Sequence, residues 1–353
     1  MPQAWLSMSG LQACQPIQSN FTRMYDMISI GDTMQDVFLE MDPENAHLHE
    51  MKPGPMQLCF TFADKIPVRA KHDTIGGNSA NAVIAFARLG FKTAIYTHVG
   101  GDAQGKRIIA EFGKNDVSDQ YVVTDQDLES NYNTVINLNA ERTILIYHVH
   151  RNFSLPKLDP AGWVYLSSMG EGFEVIFDDL VAYVKANNVN LVYQPGTFQL
   201  KFGAERSKEL LQATNIFAVN KEEAELYLAK PAGSTFRELL DGLLALGPKI
   251  IMISDGPAGA YCSDGKEYYY LGIIEEAPRN EATGAGDSFT SGFTAALATG
   301  EPLGEALRWG QCESSSVIQY VGPQAGLLKR KELVELLVSH PELQPIPLDQ
   351  VEK

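Results

Sequence analysis

From Trp163 onward, short runs rich in β-branched and aromatic residues alternate with segments of helix length, and this rhythm restricts the architecture more than anything else in the chain. The strand-like runs are Trp163–Ser167, Asn190–Tyr193, Ile216–Val219 and Lys249–Ile253. Helices are expected over 172–187, about 203–212, 221–229 and 234–246. Apolar runs without polar alternation are buried on both faces, and the helices between them supply crossovers, so the pattern implies a mainly parallel sheet with helices on either side. Upstream, Tyr25–Ile30 reads as a buried strand ending at Gly31, and Asn78–Leu89 as a helix opened by Gly76-Gly77 and closed by Gly90. Downstream, Gly259–Cys262 and Glu267–Ile274 read as a hairpin around Asp264-Gly265, followed by helices over 287–299 and 302–319.

Two segments break the rhythm. Residues 36–74 are too long for a simple connection and contain strand-like pieces near Val37–Glu40 and Leu58–Phe62. Asn133–Leu138 and Arg142–Val149 read as a hairpin through Asn139-Ala140-Glu141. The expectation is a doubly wound α/β domain over 25–340, carrying a small β lid built from about 37–70 and 131–149. Residues 1–24 show no clear period and are expected to form a disordered extension, with 341–353 as a C-terminal tail.

The formal net charge of −16 would repel a nucleic-acid backbone, and no basic run overcomes it locally. An anionic cofactor stays compatible, because backbone N–H groups and a divalent cation can hold phosphates inside an acidic protein. The four cysteines are scattered and form no metal-binding pair, which fits a reducing, cytoplasmic setting. No run of about 18 apolar residues and no basic start followed by an apolar stretch occurs, so neither a membrane span nor export is expected.

The sharpest local feature is Asn280-Glu281-Ala282-Thr283-Gly284-Ala285-Gly286-Asp287-Ser288-Phe289, a glycine-rich turn running into a helix of small and apolar residues. Glycines let successive N–H groups converge, and the positive end of the helix dipole adds to them, so such a turn stabilises negative charge on a transferring phosphoryl group. A carboxylate at that helix start, Asp287, can accept a proton from an attacking hydroxyl. A tight loop with an ordinary capping Asp would use the same residues. A second glycine pair opens Gly76-Gly77-Asn78-Ser79-Ala80-Asn81, where Asn78 and Asn81 lie one helical turn apart and can aim amides at hydroxyls. An Asn-capped helix is the plainer reading of that segment.

Both segments resemble the two signatures of the ribokinase (PfkB) family of carbohydrate and nucleoside kinases, whose C-terminal hallmark is Asp-Thr-Xaa-Gly-Ala-Gly-Asp. The resemblance extends in family order across about residues 26–328. It implies Gly284, Ala285 and Gly286 as an anion hole, Asp287 as general base, and Gly76, Gly77, Asn78, Asn81 and Asp36 as substrate-binding residues. Asp36 ends Gly31-Asp32-Thr33-Met34-Gln35-Asp36, which is similar to the family's first-strand motif. Gly100-Gly101-Asp102-Ala103-Gln104-Gly105 looks like the family's Gly-Xaa-Asp-Xaa-Xaa-Gly turn. Asn220-Lys221-Glu222-Glu223 is similar to the Asn-Xaa-Xaa-Glu element that organises hydrated Mg²⁺, which implies Asn220 and Glu223 at the metal. Ser254, Gly256 and Gly259 resemble the nucleotide-binding turn, and Gln194 and Thr283 are placed with the cofactor ATP on the same ground. Gly322-Pro323-Gln324-Ala325-Gly326 falls where the family closes the adenine pocket. Glu281-Ala282 replaces the hallmark's Asp-Thr, which removes usual residues of the K⁺ site that some relatives build there. Asn78 stands where ribokinase has a lysine.

The resemblance implies ATP-dependent phosphorylation of a hydroxyl on a sugar or sugar acid, with a nucleoside or a sugar phosphate as other acceptors. A phosphorylated acceptor would call for basic residues such as Arg69, Lys71, Arg142 and Arg151. A non-catalytic sugar- or nucleoside-binding regulator on the same fold is the rival from another class. Neither a P-loop nor the protein-kinase motif set is present. The lid's strand edges leave monomer and lid-mediated homodimer both open.

Overall fold

The computed structural model describes residues 23–50, 56–138, 141–275 and 279–352. Most of the N-terminal extension and the Asn139-Ala140 turn therefore lie outside the described residues. A ten-stranded sheet runs from Val117–Asp125 at one edge through Thr93–Gly100, Tyr25–Ile30, Ala161–Leu166, Asn190–Tyr193, Ile216–Asn220 and Ile250–Ser254. It continues through Ala260–Ser263 and Tyr268–Leu271 to Ile346–Pro347. Neighbours pair parallel as far as Ile250–Ser254 and antiparallel beyond it. The final strand recruits residues expected to form a tail. Ile346 pairs with Tyr270, and Leu348 beyond it is buried.

Alternate residues of the central strands enter two cores on opposite faces. Ile28, Val164, Leu191 and Phe217 face one, while Met27, Tyr165, Val192 and Ala218 face the other. Helices cover both faces, so the strands tolerate no polar face and read as the continuous apolar runs seen in the sequence. The expected helix near 203–212 is instead two short ones, Thr197–Phe202 and Lys208–Ala213, separated at Gly203, where φ is 86°. The segment over 172–187 opens with a 3₁₀ turn, Phe173–Ile176, before the helix Phe177–Asn187.

A separate four-stranded sheet has the order Val68–Gly76, Met34–Met41, Asn131–Leu138, Glu141–Tyr147. Its middle pair is parallel and its outer pairs antiparallel. Its last strand is exposed along its whole length. In the main sheet the chain winds outward from Tyr25–Ile30 to one edge, then returns to Ala161–Leu166 on its other side and winds away. In open α/β sheets the crevice at the carboxyl ends of strands beside such a reversal is the place for a ligand, and here the small sheet stands over it.

Candidate active site

A cleft of about 340 Å³ lies between the carboxyl ends of the main strands and the small sheet. The main sheet contributes Gln194, Asn220 and Ser254, each at or just past a strand end, and the small sheet contributes Asp36, Asn133 and Arg142. Gly77, Asn78, Asn81, Glu223, Thr283, Gly284, Gly286 and Asp287 also line it. Asp36 and Asp287, 251 positions apart in sequence, thus meet around one space.

Gly76, Ala285, Gly256 and Gly259 do not line the cleft, and the structure gives each a different place. A Cβ at Gly76 would lie 1.8 Å from Asp36 Oδ2, so this glycine makes room for a carboxylate that itself faces the cleft. Ala285 turns its N–H back onto Ala282 O at 3.2 Å, a turn hydrogen bond that occupies this donor. Gly256 and Gly259 shape the 3₁₀ turn after Ile250–Ser254, with φ of 49° and 100°. They direct the chain away from the strand end while Ser254 alone reaches the cleft.

The turn before the helix Ala285–Ala298 is set by Gly284, whose φ of 82° is left-handed. Glu281, buried, accepts from Thr283 N at 2.8 Å and from Thr283 Oγ1 at 2.5 Å, so the residue replacing the hallmark's Asp ties down the turn from within. Ser288 N–H closes the first helical turn onto Gly284 O at 2.9 Å. Between these bonds the N–H groups of Gly286 and Asp287 have no backbone acceptor among the described residues. Outside its own turn and helix, a Cβ built on Gly286 would meet nothing nearer than Gln194 Nε2 at 3.9 Å, and Gly286 lines the cleft, so there is room beside this residue. Unpaired donors at a helix start are suited to an anion.

Asp287 sits at that helix start, 6% exposed. Asn81 Nδ2 donates to its Oδ2 at 2.8 Å and Gln194 Nε2 to its Oδ1 at 3.0 Å. Burial pushes its pKa up, and the amide donors Asn81, Gln194 and Asn78 oppose that shift by favouring the charged form. Asp36 is also buried, which raises it to about 7; Asn133 Nδ2, at 3.0 Å from Oδ1, pulls it down, and the charges of Glu281 and Asp287 push it further up. Asn78 Oδ1 accepts from Ser168 Oγ at 3.1 Å, which leaves its amide nitrogen toward the cleft.

Asn220 and Glu223 form a reciprocal capping box: Asn220 Oδ1 accepts from Glu223 N at 2.8 Å, and Glu223 Oε2 from Asn220 N at 2.9 Å. The plainer reading of this tetrapeptide is therefore realised, yet both side chains line the cleft and the box occupies only one of Glu223's two carboxylate oxygens. Burial raises the Glu223 pKa, and the neighbouring Asp287 charge adds to it. Among the described residues no group of three or more His, Cys, Asp or Glu could hold a metal by itself. No described helix is long and apolar enough to cross a membrane.

Several contributors escaped the sequence reading. Asn133 sits on a strand whose alternating burial was legible, but only its pairing beside Met34–Met41 brings it to Asp36. Tyr165 reads as one more core aromatic, yet its hydroxyl donates to Gln194 Oε1. Of the four basic residues considered for a phosphorylated acceptor, three are matched by carboxylates away from the cleft. Arg69 pairs with Glu40, Lys71 with Asp73 at 2.8 Å, and Arg151 with Asp125. Arg142 alone lines the cleft, 3.9 Å from Glu281.

A doubly wound sheet with a lid, a helix start with unpaired amides and a carboxylate beside it describes the class of small-molecule kinases. Residues 55–330 match the pfkB family of carbohydrate kinases. The chain is 26% identical over 279 residues to the ribokinase of Haemophilus influenzae, covering 74% of this chain and 87% of that one. It is 26% identical over 318 residues to the ATP-dependent 6-phosphofructokinase of Thermoanaerobacterium thermosaccharolyticum, covering 85% and 90%. The ribokinase of Arabidopsis thaliana, solved with ribose and ATP, superposes with a TM-score of 0.72 at 21% identity, over 89% of this chain and 98% of that one. The chain belongs to the pfkB family of carbohydrate kinases and is a phosphotransferase of that family.

Proposed function

We propose that this chain transfers the γ-phosphoryl group of ATP to a hydroxyl of a sugar or sugar acid, with Asp287 as general base. The observation that carries this reading is a buried carboxylate on the same helix start as two amides without backbone acceptors, on residues that line the cleft. The base takes the acceptor hydroxyl's proton as the oxygen attacks phosphorus. The N–H groups of Gly286 and Asp287 stabilise the charge growing on the phosphoryl oxygens. Asp36, Asn78 and Asn133 present one carboxylate and two amides, a set suited to grip a polyol. The small sheet excludes water, which would otherwise compete for the phosphoryl group.

Asn220 and Glu223 are oxygen donors beside the same space, which suits Mg²⁺, a hard cation that keeps several waters and needs few protein ligands. Bound with the nucleotide, Mg²⁺ supplies charge neutralisation at the phosphates. Two features favour an uncharged or singly anionic polyol. Asp36, Glu223 and Asp287 face a single cation, Arg142, which disfavours a phosphorylated acceptor. No aromatic side chain among the described residues lines the cleft, so a nucleobase would find no stacking partner.

ADP release measured against sugars, sugar acids, sugar phosphates and nucleosides tests the reading, with Asp287→Asn as control. Turnover is expected with a free sugar or sugar acid and should fall by about 10²–10⁴-fold in the variant. Wild-type turnover in Asp287→Asn would remove the base, turnover only with a nucleoside would replace the acceptor, and no turnover with any acceptor would favour the binding regulator.

A further inference from the structure

We infer that Gln324 and Tyr165 are positioning residues for Asp287, each fixing which way round one side-chain amide faces the base. This rests on the reading of Asp287 as base. A carboxamide can turn over about its last bond, exchanging a donor for an acceptor at almost no change of shape. Asn81 and Gln194 both hold Asp287, one on each oxygen, and either amide turned over would set a carbonyl oxygen against the carboxylate.

Each amide has a brace on its far end. Gln324 Nε2 donates to Asn81 Oδ1 at 3.0 Å, and the Tyr165 hydroxyl donates to Gln194 Oε1. With each carbonyl oxygen engaged from behind, each NH₂ must face the base. The arrangement is a line of five side chains, Gln324, Asn81, Asp287, Gln194 and Tyr165, with the carboxylate in the middle and every donor directed toward it. Two N–H donors on a buried carboxylate favour its charged form. They leave lone pairs on both oxygens for an incoming proton. The other ionisable groups whose charge Asp287 feels or perturbs, Asp36, Glu223 and Tyr165, are acids, so these donors oppose a neighbourhood that disfavours the anion.

The two braces differ in rigidity. Tyr165 is fixed in the central strand Ala161–Leu166, fully buried, its ring packed edge-on to Phe86 at 5.7 Å. Gln324 sits on a loop and depends on that loop's anchors. Arg88 Nη1 donates to Gln324 O at 2.8 Å and to Leu327 O at 3.0 Å, and Leu328 N donates to Glu313 Oε2 at 3.2 Å. The same loop packs Pro323 against Gly284, so closely that a Cβ there would lie 2.5 Å from Pro323 Cβ. One loop therefore touches the turn that carries the free amides and, through Gln324 and Asn81, the base.

The test is steady-state kinetics of Gln324→Leu, Gln324→Glu and Tyr165→Phe with the best acceptor found, beside Asp287→Asn. Each substitution is expected to lower kcat by about 10–100-fold, the worth of a hydrogen bond to a charged group. KM for the acceptor should stay within about threefold of wild type, because the acceptor's contacts, Asp36, Asn78 and Asn133, are untouched. Gln324→Glu should lose as much as Gln324→Leu, since an acceptor behind Asn81 turns its amide over. Tyr165→Phe keeps the ring packing and guards against a loop variant that does not fold. If folded variants at both positions keep kcat within about threefold of wild type while Asp287→Asn has lost turnover, the positioning role is refuted and the base stands. A kcat loss matched by an equal rise in KM also refutes it, as loosening of the cleft. Wild-type turnover in Asp287→Asn overturns the base and this inference with it.

Discussion

Gly286 and Gly284 lie two residues apart in one turn, and the structure gives their replacement by Ala opposite consequences. Gly286 has no left-handed φ, is the second residue of the helix Ala285–Ala298, and would place a methyl group in open space, 3.9 Å from its nearest neighbour. Gly→Ala at a compatible position stabilises by about 0.4–1 kcal/mol, mainly by restricting the unfolded chain. For a domain of this size that raises Tm by about 0.5–1.5 °C. Gly286 lines the cleft, so the methyl enters the space beside the amides assigned to the phosphoryl group, and displacing that group by about 1 Å costs on the order of 10²-fold in rate. Gly286→Ala should therefore be slightly more stable and nearly inactive. Gly284→Ala should lose stability by about 1–3 kcal/mol, because φ is 82° and the new Cβ would lie 2.5 Å from Pro323 Cβ. Differential scanning fluorimetry and ADP release on the same preparations read both effects. Wild-type turnover by a folded Gly286→Ala protein would show that no transferred group occupies the space in front of that amide, and the anion hole would have to be sought elsewhere.

Glu313 offers a test of stability against pH. It is fully buried, and that burial raises its pKa from 4.5 to about 8. The folded state thus holds the proton more tightly than the unfolded one, so the contribution to stability is complete below pH 4.5 and is lost as pH rises through about 8. Glu313→Gln should match wild type in Tm at about pH 4.5 and exceed it at about pH 8.5, and equal Tm at both would refute the shift. Chelation by EDTA should abolish ADP release, with recovery on added Mg²⁺; an unchanged rate would remove Asn220 and Glu223 from a metal role.

The sequence showed what local chemistry determines. Gly284, Gly286 and Asp287 are adjacent, and a glycine turn entering a helix has few geometries open to it, so the amides and carboxylate could be placed before any fold was known. Asn78 and Asn81 were legible because a helix sets their spacing. Contacts across the chain were not. Gly76 looks like half of a ligand-binding pair, but its work is to admit Asp36, which no periodicity encodes. Asn133 needed the parallel pairing of Met34–Met41 with Asn131–Leu138, a register fixed by the lid as a whole. Ile346–Pro347 is too short a strand to show alternation, so its place at the sheet edge was hidden. Ala285, expected with the anion hole, has its amide in a turn hydrogen bond that no motif shows.

The bond from Gln324 to Asn81 joins residues 243 positions apart. A chain emerging from the ribosome presents its asparagine-bearing helix early and waits for nearly all the remaining polypeptide before that helix meets its partner. Products that stop before Gln324 would leave the Asn81 carbonyl without that brace, and the amide free to turn over.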